Sequence, residues 1–173
     1  MAEAFPVGPV VLGYLLANGE THGYELLSHL HGDLGRIWRV SPSQLYSTLA
    51  ILERRGLILG TKEPQENRPP RIRYSLTETG KEEFWKWVLS PVPRLRLLRS
   101  HLLPKIFFLL KLAPERVPEL LNAQKETLLS LKIQTEKENP TDEFQKILKE
   151  FRLLQLEAGL RWIAEVLEKE EKT

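Results

Sequence analysis

The stretch VSPSQLYSTLAILERRGLI, residues 40–58, decides the fold that the sequence predicts for the first half of the chain. Ser41 and Pro42 are typical of a helix start, because a serine side chain can cap the first turn and proline needs no N–H partner there. Gly56 is the residue type expected just past a helix end. The stretch therefore predicts one short helix between Pro42 and Gly56.

The two sides of this predicted helix differ in composition. Its inner side consists of leucines at helical spacing, namely Leu45, Leu49 and Leu52. The opposite side carries small and polar residues and one arginine, namely Ser43, Ser47, Ala50 and Arg54. Small residues allow a helix backbone to sit deep in the major groove of DNA. The alternative is that this bare side packs closely against another helix.

The segments around this helix predict three further helices and a hairpin. Apolar spacing places a first helix at 10–17, and Thr21 is predicted as the N-cap of a second. After the third helix the apolar period changes to two, which is typical of strands. The hairpin and the following helix are predicted at 56–63 (strand), 65–70 (turn), 71–76 (strand) and 78–89 (helix capped by Thr77). This order predicts a winged helix-turn-helix.

The second half of the chain is predicted to be all-α, so the fold class is mainly α. We expect residues 1–89 to form the winged helix-turn-helix domain and 97–173 a helical domain, with the proline-containing segment 90–96 as the linker. The helices of this second domain are predicted at 97–112, 114–137 and 141–169.

The last predicted helix is apolar on two sides. One stripe consists of Phe144, Ile147, Phe151, Leu154, Ala158 and Trp162, and the other of Leu153, Leu156, Leu160, Ile163 and Leu167. Since two apolar sides need two covering surfaces, we expect one side to pack within the subunit and the other on a second subunit. The sequence leaves open which side forms the dimer. The residues predicted for dimerisation therefore come from both sides: Phe151, Leu153, Leu156, Leu160, Trp162, Ile163 and Leu167.

Composition and charge limit the class of protein. The chain has 173 residues, no cysteine and a net charge of +2, so disulfides and thiolate chemistry are excluded. No basic segment precedes an apolar run at the N-terminus, and the longest apolar stretch, 101–112, is too short and interrupted to span a bilayer; we expect a soluble, cytoplasmic protein. Positive charge is concentrated between Arg36 and Tyr74, where eight Arg or Lys stand against three Glu. Such a basic segment favours a polyanion as partner.

Several motifs, in their order and spacing, resemble the PadR family of transcriptional regulators. They are His-Gly-Tyr-Glu at 22–25, Val-Ser-x-x-x-Leu-Tyr-x-x-Leu-x-x-Leu-Glu at 40–53, Gly-Leu-Ile at 56–58 and Tyr-x-Leu-Thr-x-x-Gly at 74–80. The second half is similar to the longer PadR subfamily, in which a helical C-terminal region forms a dimer. The resemblance implies a homodimeric regulator, a repressor rather than an activator, that recognises a pseudo-palindromic operator in double-stranded DNA. Ser47 stands where proline is frequent in the family, so the DNA preference cannot be taken from relatives.

Candidate DNA contacts follow from the chemistry of the predicted helix face and wing. Gln44 can pair with the edge of an adenine, and hydroxyl and guanidinium groups suit bases or phosphates. Tyr24 has both a core and a phosphate-contact interpretation. The predicted set is Tyr24, Ser43, Gln44, Tyr46, Ser47, Arg54 and Arg55 on the helices, with Lys62, Arg68, Arg71 and Arg73 on the wing. The alternative function, a winged helix used only for protein–protein interaction, conflicts with the concentrated positive charge.

The sequence indicates no enzyme, and its case for a small-molecule effector rests on aromatic residues. Several regulators in the resembled family release DNA when a small aromatic or drug-like molecule binds. The predicted lining is Trp38, Trp85, Phe107, Phe108 and Trp162, with ordinary core packing as the alternative. His29 and His31 would point about 200° apart on a helix and cannot share a metal ion. No phosphate loop, nucleophile elbow or paired-acid motif appears, so we predict no cofactor, no metal and no catalytic residue.

Overall fold

The computed structural model describes residues 5–65 and 68–170, with the backbone alone at 65, 68–70 and 170. The predicted turn at 65–70 was too long, because the backbones of Gln65 and Arg68 already pair as strand residues. The predicted contact of the Arg68 side chain lies outside the described side chains. The helices and strands of the described part are α1 Val7–Asn18, β1 Thr21–His22, α2 Gly23–Asp33, α3 Pro42–Arg54, β2 Ile58–Gln65, β3 Arg68–Leu76, α4 Glu78–Leu89, α5 Leu103–Leu112, α6 Val117–Glu136 and α7 Glu143–Glu170.

The fold is mainly helical, and the predicted winged helix-turn-helix is confirmed. Three helices precede the β2–β3 hairpin, and α4 follows it. The short strand β1, which the sequence did not predict, pairs with β3 and gives an antiparallel sheet in the order β1-β3-β2. Irregular turns, a 3₁₀ turn at Leu95–Leu97 and a π-helical turn at Leu98–Leu102, then lead into the helical C-terminal region.

The capping interactions predicted at the ends of α3 and at the start of α4 are present. The Ser41 hydroxyl accepts the N–H of Gln44 at 3.1 Å, and Gly56 closes the helix with a φ of 69°. At the start of α4 the Thr77 hydroxyl accepts the N–H of Gly80 at 3.0 Å. The three leucines predicted for the inner side of α3, Leu45, Leu49 and Leu52, are all buried. Helix ends and the buried face of α3 therefore follow from the sequence around them.

The predicted cap of α2 was wrong by one residue. His22, in an extended conformation, is the N-cap, because Thr21 is taken into β1 opposite Tyr74. Glu25 supports this start, since its Oε2 accepts the His22 N–H at 2.9 Å and the Thr21 hydroxyl at 2.7 Å. Pairing with the distant strand β3 thus sets where α2 begins.

The core continues from the winged helix-turn-helix into α5. Phe108 of α5 lies edge-on to Tyr14 of α1 and to Phe84 of α4, with ring centroids 5.1 and 5.6 Å apart. Burial and the neighbouring Asp33 raise the pKa of the Tyr14 hydroxyl. The predicted division of the chain at 90–96 stays a prediction.

The last helix, α7, packs along α6 with one of its two apolar sides. Leu156 and Ile163 are 1% and 0% exposed, so the stripe to which they belong is covered within the chain. The other stripe is open, with Phe151 57% exposed. In the ranges that the structure covers, no helix is both long enough and apolar enough to cross a membrane.

Candidate DNA interface

The outer side of α3 is exposed along its length. Ser43, Ser47, Ala50 and Arg54 are all solvent-exposed, Tyr46 is exposed at the edge and Gln44 is half-buried. The Ser47 hydroxyl donates to the carbonyl of Gln44 at 3.0 Å, and Arg54 Nε donates to the carbonyl of Ala50 at 3.3 Å. A hydroxyl that donates one hydrogen bond still has lone pairs that can accept another. Ser47 can therefore accept a hydrogen bond from the amino group of a base.

Tyr46 lies against the N-terminus of α2. A Cβ atom added at Gly23 would come within 2.8 Å of Tyr46 Cε1, so only glycine permits this approach. Beside the two residues is an open cavity of about 270 Å³ whose lining includes Tyr24, Arg71 and Ile72. Helix α2, helix α3 and the wing therefore meet at one surface depression that carries three tyrosine side chains and one arginine.

The predicted wing cations lie on opposite faces of the hairpin. Residues paired across neighbouring strands share a face of the sheet. Lys62 pairs with Ile72, whereas Arg71 pairs with Glu63 and Arg73 with Thr61. Lys62 is thus on the face of Ile72, and both arginines are on the other. The sequence had grouped these cations, and the strand register separates them.

The predicted arginines differ in their partners. Arg73 Nη2 lies 2.6 Å from Glu63 Oε1, and its Nη1 lies 3.9 Å from Glu20. Arg55 of α3 forms an ion pair with Glu83 of α4 at 2.9 Å. The guanidinium of Arg71 instead lies over the ring of Tyr24, 5.4 Å from its centroid. An ion pair lowers the net positive charge that an arginine offers to a phosphate, so Arg71 is better placed for that contact than Arg55 or Arg73.

A cluster around His22 joins the wing to α2. His22 Nε2 lies 2.9 Å from Glu63 Oε2, Nδ1 lies 3.1 Å from Glu25 Oε2, and the ring stacks on Tyr24 at 5.6 Å. The hydrogen bond from His22, with Arg73 nearby, holds the pKa of Glu63 below its usual range. Hydrogen bonds from the His22 N–H and the Thr21 hydroxyl lower the pKa of Glu25 to about 2.

Sequence reasoning missed this cluster. The His-Gly-Tyr-Glu motif marked His22 and Glu25, but Glu63 lies 41 residues further along the chain. No short-range pattern connects residues at that separation. The pairing of β3 with both β1 and β2 brings them together.

The residues predicted for dimerisation occupy different environments. Leu156 and Ile163 are buried within the single chain, and their part in dimerisation stays a prediction. Leu153, Leu160 and Leu167 are half-buried on the same side of α7. Phe151 and Trp162 belong to the open stripe and are exposed. The open stripe is therefore the side of α7 that a second subunit can reach.

The aromatic residues predicted for an effector lie in different surroundings. Phe107 and Phe108 are in mutual contact and pack with Tyr14, while Trp85 packs edge-on against Phe84. Trp38 stacks on Phe5 elsewhere, with centroids 5.9 Å apart, and Trp162 lies on α7. Most of these side chains are core or surface aromatics, and their part in an effector site stays a prediction.

A different cavity lies where the segment after α4 passes α6 and α7. It has a volume of about 500 Å³ and combines arginine with leucine side chains; its lining is Pro93, Arg94, Leu95, Arg96, Leu131, Thr135, Leu148, Arg152, Gln155 and Leu156. Arg152 is held by Glu138 at 2.8 Å and donates to Thr135 Oγ1 at 3.3 Å.

Among the described residues, no three His, Asp or Glu side chains are grouped as a metal site would require.

Comparison with known proteins adds independent information. Residues 11–86 match the model of the family described as "Transcriptional regulator PadR-like family". The chain is 29% identical over 114 residues to the negative transcriptional regulator PadR of Bacillus subtilis, an alignment that covers 66% of this chain and 62% of that relative. It is 27% identical over 77 residues to the probable transcriptional regulator Rv1176c of Mycobacterium tuberculosis, covering 44% and 41% of the two chains. The chain thus matches less than two thirds of the length of either relative.

Among solved structures, the chain is similar to Bacillus subtilis PadR in complex with operator DNA. The superposition has a TM-score of 0.48 at 22% identity and covers 94% of this chain and 98% of the other. The matched family region contains α2, α3 and most of the wing and α4, which carry the His-Gly-Tyr-Glu, Val-Ser-x-x-x-Leu-Tyr and Tyr-x-Leu-Thr motifs. Through residues 11–86, the chain is similar to the PadR-like family of transcriptional regulators.

Proposed function

We propose that this chain is a sequence-specific DNA-binding regulator that acts as a homodimer and represses transcription. The observation that supports this most is the exposed side of α3, where serine and alanine occupy the positions that a major groove would cover. The first curated relative is described as a negative transcriptional regulator, which supports repression over activation. The resembled family is one of regulators rather than of enzymes, and we propose no catalytic activity.

The roles that we propose follow the chemistry of each group. Gln44 recognises a base edge, and Ser43 and Ser47 hydrogen-bond to bases or to the backbone. Phosphate contacts come from Tyr24, Tyr46, Arg54, Lys62 and Arg71, with Arg68 retained from its position in the sequence. Arg55 and Arg73 contribute less to phosphate binding, because carboxylates already form ion pairs with their guanidinium groups.

An electrophoretic shift assay with the DNA upstream of the chain's own gene tests the proposal. We expect a complex that survives competition by scrambled DNA and that tightens steeply as salt is lowered, because phosphate contacts release counterions. If the upstream DNA and the scrambled DNA compete equally, sequence-specific regulation is refuted. Binding that is absent at moderate salt would instead favour the second candidate, a winged helix that binds only other proteins.

Two substitutions separate base contacts from phosphate contacts. Arg71→Ala should weaken binding to all duplexes alike and reduce the slope of log K against log salt by about 0.9. Gln44→Ala should relax the preference at one or two base pairs by about 1–3 kcal/mol without changing that slope. Lys86→Ala, an exposed cation on α4, is the charge-matched control for Arg71. A Gln44→Ala protein with unaltered preference would show that the proposed docking of α3 is wrong.

The open stripe of α7 supports the proposed homodimer. Its large apolar side chains, Phe144, Ile147, Phe151, Leu154 and Trp162, are exposed in the single chain. Contiguous apolar surface of this kind marks interaction sites. We assign dimerisation to this stripe within the proposed C-terminal domain, 97–173, and expect two winged helices at a spacing that matches two half-sites.

A small-molecule effector is a second proposal, and the cavity of about 500 Å³ beside α6 and α7 supports it. Arginine and leucine side chains in one cavity suit an anionic molecule with an apolar body. Thermal-shift titration with phenolic acids tests this. Gln155→Glu places a carboxylate in the lining and should abolish the shift, whereas Gln134→Glu on the exposed side of α6 should not. The effector proposal is refuted if phenolic acids and cationic drugs both leave the melting temperature and DNA affinity unchanged.

A further inference from the structure

Arg71 and Arg73 lie on one face of β3, but the Glu63 carboxylate forms an ion pair only with Arg73. Glu63 is the register partner of Arg71, yet its carboxylate does not neutralise Arg71. Its Oε1 lies 2.6 Å from Arg73 Nη2, and its Oε2 lies 2.9 Å from His22 Nε2. Both oxygens are thus engaged by Arg73 and His22, which holds Arg73 on the sheet, and among the described side chains Arg71 forms no ion pair.

His22 connects this carboxylate to Arg71 through Tyr24. The His22 backbone is fixed twice, by pairing with Arg73 in the sheet and by capping α2. Its ring stacks on the Tyr24 ring at an interplanar angle of 19°, and the Arg71 guanidinium lies over that same ring. A change at Glu63 would therefore alter the orientation of His22, then of Tyr24, and then of Arg71.

We propose that His22 and Glu63 are positioning residues for DNA binding: they hold Arg73 as a structural cation and present Arg71, supported by Tyr24, to a DNA phosphate. This inference rests on the proposed function. It deepens that function by assigning the phosphate contact of this wing face to Arg71 rather than to Arg73. The lowered pKa of Glu63, caused first by the His22 hydrogen bond, agrees with a carboxylate that stays charged in this cluster.

Removing the carboxylate distinguishes positioning from simple electrostatics, because the two predict opposite signs. A glutamate near DNA repels phosphate, so its removal alone would tighten binding. If Glu63 positions Arg71 through His22, its removal weakens binding although the net charge becomes more positive.

The test compares wild type, Glu63→Ala, Glu63→Gln and Glu82→Ala on a fluorescein-labelled duplex of random sequence. Glu82 is an exposed glutamate on α4 and serves as the charge-matched control. We expect Glu63→Ala to bind about fivefold more weakly, as for the loss of one charge-assisted hydrogen bond. Glu63→Gln should recover most of this loss, because its amide oxygen can still accept the His22 Nε2–H. Glu63→Ala binding as tightly as Glu82→Ala, or more tightly than wild type, would overturn the proposal.

A second measurement asks whether the effect passes through Arg71. In the wild-type background, Arg71→Ala should lower the salt slope by about 0.9, and Arg73→Ala should leave it unchanged. In the Glu63→Ala background, Arg71→Ala should have a clearly smaller effect, because Arg71 is no longer held in place. Equal effects of Arg71→Ala in both backgrounds, or a larger slope change for Arg73→Ala, would contradict the assignment.

Hydrogen exchange without DNA separates failure of this inference from failure of the proposed function. We expect Glu63→Ala to speed amide exchange in β1 and β3, which the cluster joins, while α6 exchanges as in wild type. Unchanged exchange in β1 and β3 would overturn the proposed cluster even if the protein binds DNA. Wild-type protein that fails to bind any duplex would refute the proposed function, and the exchange rates would still decide whether the cluster holds the wing.

Discussion

Gln124 on α6 and Val92, in the segment between α4 and α5, are joined by two hydrogen bonds. The Val92 N–H donates to Gln124 Oε1 at 2.7 Å, and Gln124 Nε2 donates to the Val92 carbonyl at 3.0 Å. Both residues are buried. The glutamine side chain thereby satisfies the backbone polar groups of a segment that lies outside any strand, and it fixes the path of the chain towards α5.

Replacing Gln124 by leucine should be strongly destabilising. The substitution leaves one buried N–H and one buried carbonyl without partners, which costs about 1–3 kcal/mol for each group. Urea unfolding monitored by circular dichroism gives the change in free energy. Gln134→Leu, on the exposed side of the same helix, is the control and should stay within about 0.5 kcal/mol of wild type. Similar losses for both variants would show that the Val92 contact contributes little.

Lys105 predicts an unusual dependence of stability on pH. Its Nζ is buried and donates to the carbonyl of Trp87 at 2.7 Å and to the hydroxyl of Ser90 at 3.0 Å. Burial lowers the pKa of Lys105 from 10.5 to about 8. Between these values the unfolded chain binds more protons than the folded chain, so the free energy of unfolding rises with pH in this window.

Lys105→Met removes that contribution and provides the reference. Across the window from about pH 8 to pH 10.5, wild type should gain on the order of 3 kcal/mol relative to Lys105→Met. Urea unfolding of both proteins at the two ends of the window measures this difference, and groups common to both proteins cancel. A difference that stays constant with pH would mean that the ammonium is not penalised by its burial.

Gly13 and Gly32 should respond to alanine in opposite ways. A Cβ at Gly13 would lie 2.7 Å from Phe84 Cε2 and 2.8 Å from Phe108 Cε1, and both rings are fully buried. Gly13→Ala should therefore cost about 1–3 kcal/mol through overpacking. Near the end of α2, a Cβ at Gly32 would meet no atom within 4 Å beyond its chain neighbours and the backbone of its own helix, so Gly32→Ala should stabilise by about 0.5–1 kcal/mol. Equal melting temperatures for the two variants would contradict the packing at Gly13.

Substitutions on the two sides of α7 should affect different properties: one should weaken dimerisation and the other should destabilise the folded chain. Phe151→Glu, on the open stripe, should shift sedimentation from dimer to monomer while the circular dichroism spectrum remains that of wild type. Ile163→Ala, on the covered side, should instead lower the free energy of unfolding by about 2–4 kcal/mol because it opens a cavity. Glu150→Gln, exposed on the same helix, controls for surface change. A Phe151→Glu protein that remains dimeric would exclude the open stripe as the dimer surface.

Local signals account for the elements that sequence analysis predicted well. Ser41 and Gly56 mark the two ends of α3, and Thr77 marks the start of α4, because each acts on backbone groups a few residues away. At Thr21, local residue type did not predict the helix start correctly. Its residue type suits a helix cap, but the pairing of β1 with β3 moves the cap to His22.

The sequence alone determined the ends of α3, the start of α4, the presence of the hairpin and the bare outer side of α3, because spacing and capping act within a few residues. Only the tertiary structure decided which side of α7 is covered and which wing arginine keeps its charge available. Both depend on contacts between distant segments: α6 covers Leu156 and Ile163, and Glu63 reaches His22 across 41 residues. Strand pairing places Glu63 opposite Arg71, but its side chain contacts His22 and Arg73, so side-chain packing rather than residue order or strand register decided which arginine it holds.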